Sequence, residues 1–157
     1  MEFKMFLLPY KMRFVAALLL IGAAICAYLY FWGGRPEFFN IKIFAIISVY
    51  LETRYFVFAQ TNILDELAAI LLLAGIVAFS FSKLKTEKPE YQLFRIKALV
   101  YSVFIASAFW ILSFLLIYGM AIFLITSGIF IFYLISYNTL LYYFILKNKR
   151  KSEVITE

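Results

Sequence analysis

The chain contains no histidine, one cysteine, three prolines and six glycines, and only 15% of its 157 residues are charged. Each shortage removes a class of chemistry. Without histidine there is no His-ligated zinc or haem and no general base of the commonest kind. A lone cysteine excludes an intrachain disulfide and a Cys-rich metal site. Cys26 stands among Gly22, Ala23, Ala24 and Ala27, the setting of a small packing residue. A lipoprotein site would need a small residue just before it, and Ile25 is there. No Asp, Glu, Lys or Arg lies deep in the long apolar runs, so the usual marks of a proton relay or ion-coupled carrier are missing. No internal repeat suggests an inverted transporter half. No catalytic, cofactor-binding or metal-binding set is expected.

What is present is apolar. Hydrophobic residues make up 66% of the chain, with 19 Phe and 12 Tyr. A soluble domain of this length could not hide so much hydrocarbon, whereas lipid as solvent removes the need. The formal charge of +6 would raise nucleic acid as a partner of a soluble protein. Here the basic residues flank apolar runs, which is a topology signal, and no nucleic acid is expected.

Four stretches qualify as spans: residues 14–32, 63–82, 98–118 and 121–146. The first has 19 uncharged residues, about 28 Å of helix at 1.5 Å per residue, enough for the hydrocarbon core. It exceeds a signal-peptide apolar run and ends in Tyr28-Leu29-Tyr30-Phe31-Trp32, an aromatic belt, so a retained helix is expected. Residues 41–59 are apolar too but carry Lys42, Glu52 and Arg54. Charge in mid-membrane costs at least about 2.5–3.5 kcal/mol per residue, which disfavours a fifth crossing.

Parity tests the count independently. Four spans with a cytoplasmic N-terminus place twelve of the fifteen basic residues inside, leaving Arg35, Lys42 and Arg54 outside. A fifth span would put the basic loop 83–97 opposite the N-terminus, against the positive-inside rule. The sequence therefore predicts one all-α membrane domain, a four-transmembrane-helix bundle with both termini cytoplasmic, a basic loop 83–97 and a tail 147–157. Between spans one and two, residues 33–62 begin with a helix-breaking Gly33-Gly34-Arg35-Pro36. The rest is too apolar to float in water and predicts an interfacial helix or a re-entrant element. Partial β-structure is the alternative, because residues 43–57 are rich in β-branched and aromatic side chains.

Three groups of residues are candidates for interaction. Asn62 can cap the second span, with Asp65 and Glu66 complementing its dipole. Together with Glu52 and Arg54 they form a candidate outer charge cluster, more simply read as capping and a local tie. Lys83, Lys85, Lys88, Arg95 and Lys97 make a basic cytoplasmic face that attracts anionic headgroups or docks a partner. In the fourth span Ser127, Asn138 and Tyr142 fall on one arc and form a thin polar stripe. Small-xxx-small pairs (Gly22 with Cys26, Ala23 with Ala27, Ala74 with Ala78, Ser102 with Ala106) allow close helix approach, expected to be tightest between spans one and two.

The run Asn62-Ile63-Leu64-Asp65-Glu66-Leu67-Ala68-Ala69-Ile70, then Ala78-Phe79-Ser80 and Ser82-Lys83-Leu84-Lys85 with Glu87, resembles a group of small uncharacterised bacterial multi-helix membrane proteins. The likeness extends to Arg95-Ile96-Lys97-Ala98-Leu99, Tyr118-Gly119, and Asn138 with Leu141-Tyr142, over roughly residues 36–146. Lys88-Pro89 interrupts the more acidic 83–90 loop of that group. The resemblance implies the fold and a bacterial inner-membrane location, and no mechanism. The expectation for function is a non-enzymatic regulatory or accessory partner, with contacts to lipid, a protein partner or a second copy. A small permease or channel using the fourth-span stripe is the alternative. A lipid-modifying enzyme would have only Glu52, Asp65 and Glu66 to draw on.

Overall fold

The computed structural model describes residues 5–49 and 53–155. Among them are four helices and one antiparallel strand pair: α1 (Met12–Phe31), β1 (Asn40–Val49), β2 (Thr53–Asn62), α2 (Leu64–Ser80), α3 (Glu90–Leu116) and α4 (Met120–Ile155). A 3-10 turn, Glu37–Phe39, precedes β1. Three helices are long and apolar enough to cross a membrane: Met12–Phe31, Glu90–Leu116 and Met120–Lys149. Much of their apolar surface stays exposed, Phe104, Leu116 and Leu124 included. Lipid tolerates such surface; water does not. α2, at 17 residues, is about 25 Å long.

Contacts divide the chain into two compact units, Val15–Gly75 and Met1–Phe14 with Ile76–Glu157. In the first, α1 is uncharged from Phe14 onward and stops just before a glycine pair. The amides of Trp32 and Gly33 fold back on the Tyr28 carbonyl at 2.9 and 3.0 Å. Gly34 then takes φ +74, a conformation natural to a residue without Cβ. Arg35 follows at φ 51, its guanidinium 4.3 Å from the Tyr30 ring centre.

Residues 40–49 and 53–62 pair as an antiparallel β-hairpin, which corrects the expected interfacial helix or re-entrant segment and limits the all-α expectation to the four helices. The pairing runs from Asn40↔Asn62 through Phe44↔Phe58 to Val49↔Thr53. The cause is side-chain shape. Ile41, Ile43, Ile46, Tyr55, Val57 and Phe58 lose rotamer freedom in a helix and fit a pleated surface. Asn62 closes the hairpin and opens α2. Its amide nitrogen donates to Asn40 Oδ1 (2.9 Å) and the Pro36 carbonyl (3.3 Å), and its Oδ1 accepts the Leu64 amide (3.3 Å). α1 and α2 touch where Gly75 faces Leu20 and Gly22 faces Leu71.

In the second unit, α3 and α4 are antiparallel partners. The buried residues of α3 are Arg95, Ala98, Ser102, Ala106 and Ser113, spaced by three, four or seven and all small except the first. Small side chains permit a close approach, filled from α4 by Leu134, Tyr137 and Leu141. Phe109 stacks on Phe132 at 4.4 Å. The extensive helix contact is thus α3 with α4, while spans one and two approach closely at Gly75 and Leu20. α3 also begins eight residues before the expected span, directly after Pro89, and α4 continues as helix through the basic tail to Ile155. The N-terminal segment pairs with the chain leaving α2: Leu8 donates to the Phe81 carbonyl and accepts from the Lys83 amide, both at 2.9 Å.

Candidate functional site

The densest polar arrangement lies where the end of α2, the following loop, α3 and α4 meet. At its centre is Arg95, fully buried. Position 95 shares a helical face with Ala98 and Ser102, so the fold that buries those small residues buries the guanidinium with them. A charge there requires compensation, and the loop supplies it. Arg95 Nε donates to Glu87 Oε1 and Nη2 to Glu87 Oε2, both at 3.2 Å, a bidentate pair. Nη2 also reaches the Ser82 carbonyl (3.3 Å), while Nη1 reaches the Ser80 carbonyl (3.4 Å) and the Tyr137 hydroxyl (3.3 Å).

A guanidinium has five N–H donors. These five contacts occupy the whole fork, so Arg95 has no donor left for a ligand. Glu87 is engaged on a further side, its Oε2 accepting the Leu84 amide at 2.8 Å. The Tyr137 ring stacks on Phe81 at 5.9 Å. The arrangement is a clamp that joins three helices through one charge pair. It corrects the placement of Arg95 on the basic interaction face, because a buried, saturated arginine presents no charge to a partner. Lys83, Lys85, Lys88 and Lys97 are exposed.

The polar stripe of α4 separates into two parts. Asn138 donates to Ser80 Oγ at 2.7 Å and to the Leu134 carbonyl at 2.8 Å, beside the clamp. Tyr142, one turn on, has its hydroxyl accept from Arg13 Nη2 at 2.8 Å. The Arg13 guanidinium lies 4.7 Å from the Phe79 ring centre, and its Nε is buried without an acceptor. Both α4 residues are therefore spent on neighbouring segments. Ser127 does not join them; it is exposed and bonds back to the Phe123 carbonyl at 2.8 Å.

At the other candidate cluster, Asp65 and Glu66 are exposed in the first turn of α2, beside the Asn62 cap. Glu52 and the side chain of Arg54 lie outside the described residues, though the Arg54 backbone pairs with Ser48. The hairpin itself carries a feature that sequence reasoning missed. On one face Phe44 meets Phe58 at 5.5 Å and Phe56 at 6.4 Å, and all three are exposed, as is Ile46. The pairing skips the Ile46/Phe56 position, where Phe56 takes φ 51, a strained conformation for a bulky residue. The period-2 recurrence of Phe44, Ile46 and of Phe56, Phe58 was the available signal. Glu87 and Tyr137 were missed as well, because their partnership with Arg95 spans 8 and 42 positions. No protein-family model matches the chain, and no curated protein or solved structure is similar to it.

Proposed function

We propose that the chain is a non-enzymatic membrane protein that serves as an accessory partner of another membrane protein, docking through its hairpin. The observation that carries this reading is the exposed aromatic face of Phe44, Ile46, Phe56 and Phe58. A two-stranded hairpin alone is marginal in water and leaves both strand edges unpaired. An apolar face on such an element gains from being covered, and an open edge accepts a further strand. Arg95 and Glu87 meanwhile act as a structural clamp, and Asn138 and Tyr142 as ties between segments. That use of the α4 stripe favours an accessory role over a permease.

The location we assign is the bacterial inner membrane, on the resemblance carried by residues 62–70, 78–80, 82–85 and 95–99. α2 makes the fourth crossing in this reading: its 17 residues are charge-free beyond Asp65 and Glu66, and tilt or local thinning accommodates a short span. The four helices then form a bundle, with the hairpin outside and Lys83, Lys85, Lys88 and both termini in the cytoplasm. Single cysteines at positions 58 and 88, in a Cys26→Ser background, test this. A membrane-impermeant maleimide applied to intact cells is expected to label position 58 and spare position 88. Labelling of both, or of 88 alone, removes the four-crossing topology.

Docking is tested by a photo-crosslinking residue at position 58 in living cells. The expected product is one discrete protein adduct, abolished by Phe44→Ser on the same face. Adducts to lipid alone would mean that the hairpin rests on the bilayer, and the accessory reading would fall.

A further inference from the structure

We infer that the groove between the start of α3 and the late part of α4 is a binding site for the headgroup of an anionic phospholipid. The groove has a volume of about 370 Å³ and is lined by Phe94, Lys97 and Tyr101 from α3 and by Phe144, Lys147 and Asn148 from α4. Positions 94, 97 and 101 follow helical spacing, as do 144, 147 and 148, so each helix contributes one face. Phe94 and Phe144 pack against the Ala98–Tyr137–Leu141 core, which fixes the floor. Tyr101 extends that apolar wall, its ring 6.1 Å from Phe144.

The charges stand where the apolar runs end. Lys97 directly precedes the uncharged stretch 98–116, and Lys147 directly follows the uncharged stretch 120–146. Two antiparallel helices thereby bring one ammonium each to the same level, the boundary between hydrocarbon and headgroups. Both lysines are exposed, and among the described residues neither is held by a carboxylate. Lys147 Nζ sits 5.8 Å from the Tyr143 ring centre. The nearby acid, Glu90, accepts from Asn148 Nδ2 at 3.3 Å. Two ammonium groups without a carboxylate partner, above an aromatic wall, match a phosphate with an acyl chain attached. A water-soluble anion would use the lysines and leave the wall of Phe94, Tyr101 and Phe144 idle. Basic pockets between membrane helices are suited to such lipids, and each basic side chain favours an anionic headgroup several-fold.

The inference rests on α3 and α4 crossing a bilayer, which retention of the chain in membranes after alkaline carbonate washing tests separately. The site is tested on the full chain in an uncharged maltoside detergent, by native mass spectrometry with added phosphatidylglycerol or phosphatidylcholine. The wild-type chain is expected to retain phosphatidylglycerol about thirtyfold more strongly, the combined effect of two lysines. Lys97→Gln/Lys147→Gln abolishes that preference, whereas Lys85→Gln/Lys88→Gln, on the loop, preserves it. All four positions are exposed, and circular dichroism checks that each variant remains folded. Equal retention of the two lipids overturns the proposal, and so does a preference that survives the first double variant. Millimolar inorganic phosphate is expected to compete poorly. Full displacement by it would make the groove a site for a soluble anion and overturn the lipid assignment.

Discussion

Glu87→Ala is expected to lower the unfolding free energy of the detergent-solubilised chain by about 3–5 kcal/mol, the cost of leaving a buried charge unpaired. The magnitude follows from the asymmetry of the pair. The Arg95 side chain has no exposure, while that of Glu87 is 20% exposed. Removing the carboxylate strands a guanidinium that cannot reach water, with only the Ser80 and Ser82 carbonyls and the Tyr137 hydroxyl for company. The Leu84 amide loses its acceptor in the same change. Arg95→Leu does less damage, because the surviving carboxylate is partly hydrated. Arg95→Leu/Glu87→Leu does less than Glu87→Ala alone, since replacing both partners removes the uncompensated charge. Equilibrium unfolding in mixed dodecyl sulfate and maltoside micelles, followed by circular dichroism, measures all three variants. A loss below about 1 kcal/mol for Glu87→Ala would show a pair behaving as a surface salt bridge, and the clamp would be lost as an idea.

The same residue shows where the sequence was legible and where it was not. Hydrophobic run length located every helix, because desolvation of charge is a local property that can be counted along the chain. It also placed Lys83, Lys85 and Lys88 on an exposed connection. Proximity along the chain groups Arg95 with them, although its helical period places it with Ala98, Ser102 and Ala106. Following that small-residue face one turn backward would have flagged a buried arginine in need of a carboxylate. Its partners could not be found that way. Glu87 reaches it across a turn and Tyr137 from another helix, and such pairings depend on tertiary geometry that no local pattern encodes.

The hairpin failed for a different reason. Over residues 41–59 run length and charge argue only that the segment does not cross, and remain silent on its backbone form. The β-branched and aromatic content pointed to strands, but the apolar residues do not alternate cleanly, because both hairpin faces carry them. Period-2 patterning is diagnostic only when one face is wet. Asn62, in contrast, was legible at once. Its capping role is local chemistry between a side-chain oxygen and an amide two residues on, and the structure places that bond where helix-start signals put it.

Glycine replacement by alanine provides the second large effect, and here the sign is set by space. Alanine is favoured over glycine in a helix by up to about 1 kcal/mol, a gain common to Gly22, Gly75 and Gly128. At Gly128 a Cβ would meet nothing within 4 Å, and at Gly22 it would rest 3.5 Å from Leu71 Cδ1, an ordinary contact. Gly22→Ala and Gly128→Ala are therefore expected to be neutral or mildly stabilising. At Gly75 the added carbon would come within 2.9 Å of Leu20 Cγ and 3.2 Å of the Leu20 backbone nitrogen. The Leu20 side chain can rotate aside, but its backbone can yield only if α1 and α2 separate. Overpacking of this kind costs about 1–3 kcal/mol, so Gly75→Ala is expected to be destabilising despite its helix propensity. Gly75→Ile, bulkier and β-branched, should lose more. The micelle unfolding measurement compares the three alanine variants directly. If Gly75→Ala proves as stable as Gly22→Ala, the helices do not meet at Leu20, and the close approach of α1 to α2 has to be abandoned.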